Sequence, residues 1–360
     1  MSICLNLPIN SVSFGQTSAL ILKELFRRKS EVILFPIGNQ IDFSTQNLDK
    51  EFIDWISLSL QNNDAKYSRN DRTFKLWHLN GSLESLAKEQ VLFSFYELDQ
   101  PTPTEINIVK NNHKVLFSSE YTCEVFRNAG CSNIEYVPLA FDKYNFSNTN
   151  KKYIEDRITF NLVGKLEKRK NHKKVIQSWL KKYGNNRKYF LQCAIYNPFL
   201  KPQDQQQLIN SVLEGKEYYN ISFLNFMENN SLYNDYLNSA DIIIGMSGGE
   251  GWGLPEFHSV ALGKQAVILN AHAYKSWANK DNSILVEPSG KIEAYDNMFF
   301  HKDQKFNQGN IYTFNDDDFI DGCDKAIKKV ESNKINKNGL KLQNDFSVDK
   351  LVDNILKHYA

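Results

Sequence analysis

A strand, a glycine-rich turn and a helix start follow one another at residues 239–263, SADIIIGMSGGEGWGLPEFHSVALG. Pro255 suits the first turn of a helix, where no N–H is needed, and the free N–H groups there can face a phosphate. Glu250, inside the turn, can accept hydrogen bonds from sugar hydroxyls beside a bound diphosphate. The segment therefore predicts an anion site; the alternative is a tight connection whose glycines serve packing alone. Four glycines of the turn let backbone approach a ligand closely: Gly248, Gly249, Gly251 and Gly253.

A second candidate phosphate site follows the strand predicted at 158–163. The sequence VGKLEKRKN places Lys165 and Lys170 on either side of a turn, where they can clamp a diphosphate, and Gly164 relieves crowding. A basic run of this kind is most often a solvated helix start. Its position opposite another phosphate-competent helix start favours two complementary halves of one anion site.

The elements that must position these turns alternate between strands and helices, which predicts an α/β chain with parallel sheets. In the first half, strands are predicted at 3–7, 31–37, 74–79, 90–97, 114–118 and 134–139, with helices at 18–28 and 120–128. In the second half, strands are predicted at 158–163, 189–195, 221–226, 240–246, 266–269 and 283–286.

The polar stretch 142–156 separates these two series and is expected to link two domains. We predict domains at 1–145 and 146–345, and a helix within 346–360 that packs back on the first domain. Two such domains leave a cleft between the carboxyl ends of their sheets, where open parallel sheets bind ligands. Both candidate phosphate turns are expected at the carboxyl ends of the strands that line this cleft.

The amino-acid composition argues against several classes of function. The formal net charge of the 360 residues is +1, from 43 basic and 42 acidic side chains, so no global field drives binding to nucleic acid or to a membrane. An odd number of cysteines, five, argues against a disulfide framework and for a cytoplasmic protein. The first residues, MSICLNLPIN, predict a strand rather than a signal peptide, and no apolar run is long enough to span a bilayer.

The pairing of VGKLEKRKN with SGGEGWGLPEFHSVALGK resembles the donor-binding domain of the retaining GT-B glycosyltransferases of family four. Upstream, FSFYELDQPT and HKVLFSSEYTCEVFRNAGCSNIEYVPLAFD are similar to that family's run from an acidic cleft segment to the interdomain exit. The resemblance covers about residues 91–269 and is weaker in the first domain. It implies a GT-B fold, in which two Rossmann-like domains face each other across a cleft, the first on the acceptor side and the second binding a nucleotide sugar.

By this resemblance, Lys165 and Lys170 hold the diphosphate of the donor and Glu250 contacts the transferred sugar. The family's second glutamate, which binds the ribose, falls at His258, which is a departure from the pattern. A ring nitrogen of His258 can still bond a ribose hydroxyl, and the alternative is a structural histidine. Glu256 lies about 200° away around the helix and is not expected to replace the missing carboxylate. Further donor contacts are expected at Gly164, Gly249, Gly251, Trp252, Gly253 and Leu254.

In the first domain, Gly15 lies in a sequence, FGQT, that resembles the family's glycine loop near the leaving diphosphate. His78 matches a cleft histidine that lies close to the transferred sugar, while a core position beside Trp77 is the alternative. Glu97 is expected on the acceptor or sugar side of the cleft.

The resemblance implies transfer of a hexose from a UDP- or GDP-linked sugar to a hydroxyl acceptor, with retention of configuration. It implies no side-chain nucleophile, no cofactor and no metal; the acidic run at 316–318 is expected in a solvated loop. A glycan is the expected acceptor. A hydroxylated nucleic-acid base or a lipid-linked acceptor is the alternative within the enzyme class, and a non-catalytic protein that binds sugar nucleotides or glycans is the alternative outside it.

Overall fold

A computed structural model describes residues 2–38 and 41–359. Met1, Asn39, Gln40 and Ala360, which the expected domain ranges include, lie outside the described residues. Within the described ranges, the chain forms two six-stranded parallel sheets flanked by helices. The predicted α/β class with two Rossmann-like domains is confirmed. No helix in these ranges combines the length and the apolar character needed to cross a membrane.

The first sheet has the order β2-β1-β3-β4-β5-β6 and every pair is parallel. Its strands are β1 (Ile3–Pro8), β2 (Val32–Ile37), β3 (Arg72–Leu76), β4 (Glu89–Ser94), β5 (Lys114–Phe117) and β6 (Ile134–Tyr136). The helices of this half are α1 (Ser13–Arg27), α2 (Lys50–Lys66), α3 (Pro103–Asn111) and α4 (Glu120–Asn128).

The second sheet has the order β12-β11-β10-β7-β8-β9 and is also parallel. Its central strands are buried on both faces, which explains why they are continuous apolar runs in the sequence. Its strands are β7 (Ile158–Val163), β8 (Tyr189–Ala194), β9 (Ile221–Phe223), β10 (Ile242–Gly245), β11 (Gln265–Leu269) and β12 (Ile284–Val286). Its helices are α5 (His172–Tyr183), α6 (Pro202–Leu213), α7 (Asn230–Ser239) and α8 (Leu254–Ala261).

After β12, an antiparallel hairpin precedes the last helices, and the final helix returns to the first domain. The hairpin strands are β13 (Pro288–Glu293) and β14 (Asn310–Phe314), and the helices are α9 (Asp316–Ser332), α10 (Lys337–Leu340), α11 (Leu342–Asp345) and α12 (Val348–Tyr359). Helix α12 contacts α1, where Arg28 pairs with Asp353 at 2.5 Å. The Tyr359 hydroxyl donates to the Arg72 carbonyl at 2.7 Å and accepts from the Cys4 N–H at 2.9 Å.

The structure corrects the expected loop around Gly15. Helix α1 begins at Ser13, so Gly15 lies in its first turn rather than in a loop before a helix from Ser18. A side chain at Gly15 would collide with the backbone of Asn10. The glycine therefore lets the segment after β1 fold tightly against the helix. The sequence pattern alone does not distinguish this packing role from a role in ligand binding.

The acidic run Asp316–Asp318 does not form the expected loop. It forms the first turn of α9, and the side chain of Asn315 caps that helix by accepting the Asp317 N–H at 2.8 Å. Carboxylates are favoured at this position because they face the positive end of the helix dipole. A run of three aspartates after an asparagine is therefore a helix start here.

Candidate active site

The two candidate phosphate turns lie side by side because the strands that precede them are neighbours. Strands β7 and β10 pair in parallel, with Leu162 beside Ile244, so the chain leaves both strands at the same edge of the sheet. Across this edge, Lys170 Nζ lies 2.5 Å from Glu250 Oε1. Both side chains are about nine-tenths buried. The structure thus joins two residues that the sequence analysis had assigned to one anion site.

Arg169 is a third charged member of this cluster, and the sequence analysis missed it. Its guanidinium lies 2.7 Å from Glu167 Oε1 and 3.3 Å from Glu250 Oε1, and it donates to the Gly249 carbonyl. Burial acts to raise the pKa of Glu250, but Lys170 and Arg169 outweigh it and hold that pKa well below its usual range. Glu250 is therefore a fixed anion between two cations.

Gly164 leaves room for the side chain of Lys170. Its φ of +118° belongs to a region that favours glycine, and a Cβ there would lie 3.2 Å from Lys170 Cε. Lys165 lies beside two aromatic rings: its Nζ lies 4.5 Å from the centre of the Phe299 ring and 5.2 Å from that of Phe199. Burial lowers the pKa of Lys165. A diphosphate clamp formed by the two lysines stays a prediction.

The glycine turn contacts the first domain directly. A Cβ at Gly249 would lie 2.6 Å from the Glu97 carbonyl oxygen, and one at Gly251 would lie 2.7 Å from Phe95 Cβ. The Ser118 hydroxyl donates to the Gly251 carbonyl at 2.6 Å. These two glycines therefore allow a close approach between the domains, in addition to any approach of backbone to a ligand.

Trp252, Gly253 and Leu254 connect the turn to α8. Trp252 is 2% exposed, and its backbone carbonyl accepts a hydrogen bond from the Trp277 indole N–H at 2.9 Å. Gly253 has a φ of +82° and packs against the Tyr274 ring, so this position requires glycine. Leu254 is half-buried at the first position of the helix. These contacts fix the position of the first N–H groups of α8.

Glu256, two residues into α8, is a buried carboxyl that the sequence analysis had considered only as a substitute for the ribose glutamate. It is 2% exposed and lies beneath the glycine turn, where its Oε2 would be 3.2 Å from a Cβ at Gly253. Burial raises its pKa to about 7, Lys170 opposes that rise and Glu250 adds to it. The site therefore contains a carboxyl group that titrates near neutral pH.

His78 lies on the first-domain side of the cleft, just after β3. Its ring is accessible to the cleft and lies 4.3 Å from that of Phe14. Surrounding protein atoms and, to a smaller extent, Lys165 lower its pKa to about 4, so the imidazole is neutral at pH 7. His78 and Lys165 line a common cavity. Contact between His78 and the transferred sugar stays a prediction.

His258 lies among residues of the interdomain linker. Its Nε2 accepts the Asp142 N–H at 3.4 Å, and the Phe146 ring lies 4.4 Å from the imidazole. The side chain is 5% exposed, and burial lowers its pKa to about 3. Contact with a ribose remains a prediction, and it requires that this ring be released from the linker.

We expect His258 to make the protein less stable in acid. Its folded-state pKa of about 3 lies below the ordinary value of 6.5, so the unfolded chain takes up a proton that the folded chain excludes. The contribution is complete above pH 6.5 and is lost as the pH falls, by about 1.4 kcal/mol per pH unit. Urea unfolding of His258→Gln between about pH 4.5 and 6.5 should show a correspondingly smaller loss. An unchanged slope would contradict a buried neutral imidazole.

No protein-family model and no curated protein sequence matches the chain. Solved structures do. Sucrose-phosphate synthase from Thermosynechococcus elongatus has a TM-score of 0.68 at 11% identity, and the match covers 99% of this chain and 98% of that one. Anabaena HepE in complex with UDP and glucose has a TM-score of 0.67 at 13% identity and 99% coverage of both chains. WaaG, a glycosyltransferase involved in lipopolysaccharide biosynthesis, has a TM-score of 0.62 at 10% identity, covering 100% and 99%.

These likenesses extend over both domains and the cleft between them, and they agree with the resemblance seen in the sequence. At these identities they establish the architecture. The chain has the GT-B glycosyltransferase fold.

Proposed function

We propose that the protein transfers a hexose from a nucleotide diphosphate sugar to a hydroxyl group of a glycan, with retention of the anomeric configuration. The observation that carries this proposal is the Lys170–Glu250 pair, which lies beside the start of α8 at the edge of the sheet that faces the first domain. The pair offers a cation for a diphosphate and an anion for sugar hydroxyls next to each other. HepE, of the same fold, was solved with UDP and glucose, so UDP-glucose is the first donor to test.

In this proposal the ion pair is exchanged when the donor binds. The diphosphate takes Glu250's place on Lys170, and Glu250 is then free to accept hydrogen bonds from the hexose. Arg169 keeps its 2.7 Å contact with Glu167 and continues to hold the Gly249 carbonyl. The N–H groups at the start of α8 add a partial positive charge toward the phosphates. The ion pair thus neutralises both binding groups until the donor replaces it.

The reaction follows from stabilising the leaving group. The bond between the anomeric carbon and the diphosphate oxygen breaks, the acceptor oxygen bonds to that carbon on the same face, and the acceptor proton passes to the departing diphosphate. Lys170 and the N–H groups of α8 stabilise the negative charge as it develops. Because these groups neutralise the diphosphate, we propose that no divalent metal is needed, and EDTA should leave the rate unchanged.

The first test is a panel of UDP-, GDP-, ADP- and CMP-sugars, read by thermal shift and then by hydrolysis of any donor that stabilises the protein. We expect one nucleotide to raise the melting temperature and its sugar to be released slowly, with the anomeric configuration retained by NMR. Stabilisation without any hydrolysis or transfer would favour the non-catalytic alternative. No stabilisation by any member would contradict a nucleotide-sugar site.

Glu250→Gln separates sugar contact from nucleotide binding. It removes the charge that faces Lys170 but keeps the side-chain shape, so UDP alone should bind as well as before or better. The sugar nucleotide should lose its advantage over UDP by about tenfold or more, the size expected for a hydrogen bond to a charged group. Calorimetric titration of both ligands measures this ratio. Equal changes for the two ligands would argue against a sugar contact.

We place this activity in the cytoplasm. All five cysteines are buried free thiols, which agrees with a reducing compartment. Fractionation of the native host cell tests this placement.

A further inference from the structure

A cavity of about 270 Å³ lies between the domains next to the ion-pair cluster. Arg169 belongs to both, since it lines the cavity and contacts Glu250. The first domain contributes His78 and Glu97 to the wall, and the second contributes Lys165. The cavity therefore adjoins the place where the reacting sugar would lie, on the side of the first domain.

One wall comes from a loop, residues 294–309, that connects β13 to β14. It contributes four of the lining residues, Phe299, Phe300, Phe306 and Asn307. This loop is held on the first domain: the Asn307 N–H donates to Glu105 at 2.8 Å, and the Thr102 hydroxyl donates to the Lys305 carbonyl at 2.6 Å. At its base, Lys291 pairs with Asp99 at 2.7 Å. The wall is thus positioned by direct contacts with the first domain.

Some charged groups of the cavity already form hydrogen bonds or ion pairs within the protein, and others do not. Glu105 accepts from Asn307, Thr102 and Tyr96, and Glu167 is paired with Arg169. By contrast, no other described residue donates a hydrogen bond to the Glu97 carboxyl group or to the His78 ring. These two groups are free to bind a ligand.

The chemistry of the cavity favours an uncharged, hydroxylated ligand. Glu97 and neutral His78 offer acceptors to hydroxyl groups, and Phe299 offers an apolar face. The lining carries two cations, Lys165 and Arg169, against three carboxyl groups, so it lacks the cationic surface that a phosphate backbone requires. The volume lies below the roughly 300–1,000 Å³ of pockets for drug-sized ligands, which fits one sugar ring.

We propose that this cavity binds the terminal, uncharged sugar of the acceptor. Glu97 accepts a hydrogen bond from a sugar hydroxyl, and Phe299 packs against the face of the ring. The loop 294–309 of the second domain therefore selects the acceptor. This inference rests on the proposed function.

The test compares a phenylalanine of the cavity with an exposed phenylalanine outside it. Phe299 lines the cavity, whereas Phe226 is 48% exposed and does not line it. Phe199 is unsuitable as the control, because its ring lies 5.5 Å from that of Phe299. With UDP-glucose, or the sugar nucleotide that the panel identifies in its place, Phe299→Ala should raise the KM for an uncharged mono- or disaccharide about tenfold and leave the KM for donor hydrolysis unchanged. Phe226→Ala should change neither. Glu97→Gln should raise the acceptor KM by about tenfold or more, as expected for a lost hydrogen bond to a charged group.

Acceptors of the three classes then distinguish the outcomes: uncharged mono- and disaccharides, an oligonucleotide with hydroxymethylated bases, and vesicles containing diacylglycerol. Transfer to a saccharide, weakened by Phe299→Ala alone among the two phenylalanine variants, supports the inference. Transfer only to the oligonucleotide or the vesicles, or equal effects of both phenylalanine variants, overturns it while the donor chemistry stands. If the unmodified protein hydrolyses no donor, the proposed function fails first and the acceptor site falls with it.

Discussion

Lys170→Ala is expected to lower turnover by about 10²–10³-fold, the range seen when one preorganised group that stabilises developing charge is removed. Affinity for the nucleoside diphosphate should fall as well. Lys170 Nζ is held by Glu250 Oε1 at 2.5 Å, so the position of the cation is fixed within the site. Steady-state hydrolysis of the sugar nucleotide and calorimetric titration of UDP measure the two effects.

Lys168→Ala is the matched control, because Lys168 lies in the same basic turn, is exposed and bonds the Tyr295 carbonyl at 2.9 Å. It should leave both measurements unchanged. In Lys170→Ala, the buried Glu250 carboxylate keeps only Arg169, 3.3 Å away, as a cationic partner. The free energy of unfolding should therefore fall. The double variant Lys170→Ala/Glu250→Gln should recover that stability but not turnover. A rate for Lys170→Ala within twofold of the unmodified protein would remove the phosphate role.

Gly249→Ala is expected to hold the domains apart and to lower kcat by about 10²-fold, as a misplacement of about 1 Å can do. The added methyl group would lie 2.6 Å from the Glu97 carbonyl oxygen, which is backbone of the other domain and cannot rotate away. Neither domain core is disturbed, so the melting temperature should change little. Hydrogen exchange at residues 95–99 should increase, because this segment loses its cover.

Gly290→Ala serves as the comparison, since a methyl group there meets nothing within 4 Å. It should match the unmodified protein in rate and in exchange. If Gly249→Ala keeps its full rate and the exchange at residues 95–99 stays slow, the contact between the glycine turn and the first domain has no part in activity.

The alternation of strands and helices was sufficient to predict both sheets, because apolar runs such as β10 mark strands that are buried on both faces. The hairpin β13–β14 was not predicted. Strand β13 is PSGKIE, which is largely exposed and begins with proline, and an isolated two-stranded hairpin is marginal in water. Its stability depends on contacts with the first domain, such as the Lys291–Asp99 pair, which no local pattern shows.

Lys170 and Glu250 could be assigned to one site because each follows a strand, and parallel strands end at a common edge. Arg169 could not, because a basic run gives no sign of which side chain turns inward. The sequence also did not show that Gly249 and Gly251 contact the other domain, since that contact depends on how two separately folded units meet. His258 shows the same limit: its motif position predicts a ribose contact, and its surroundings are linker residues.

The chain passes between the domains twice, once in the linker and once before α12. The two passages lie side by side, where the Phe141 N–H donates to the Phe346 carbonyl at 2.8 Å. Two adjacent connections favour rotation of the domains about an axis through them over sliding of one domain along the other. We therefore expect the cleft to open mainly by a change in one angle, and we expect closing to return the glycine turn to the same residues of the first domain.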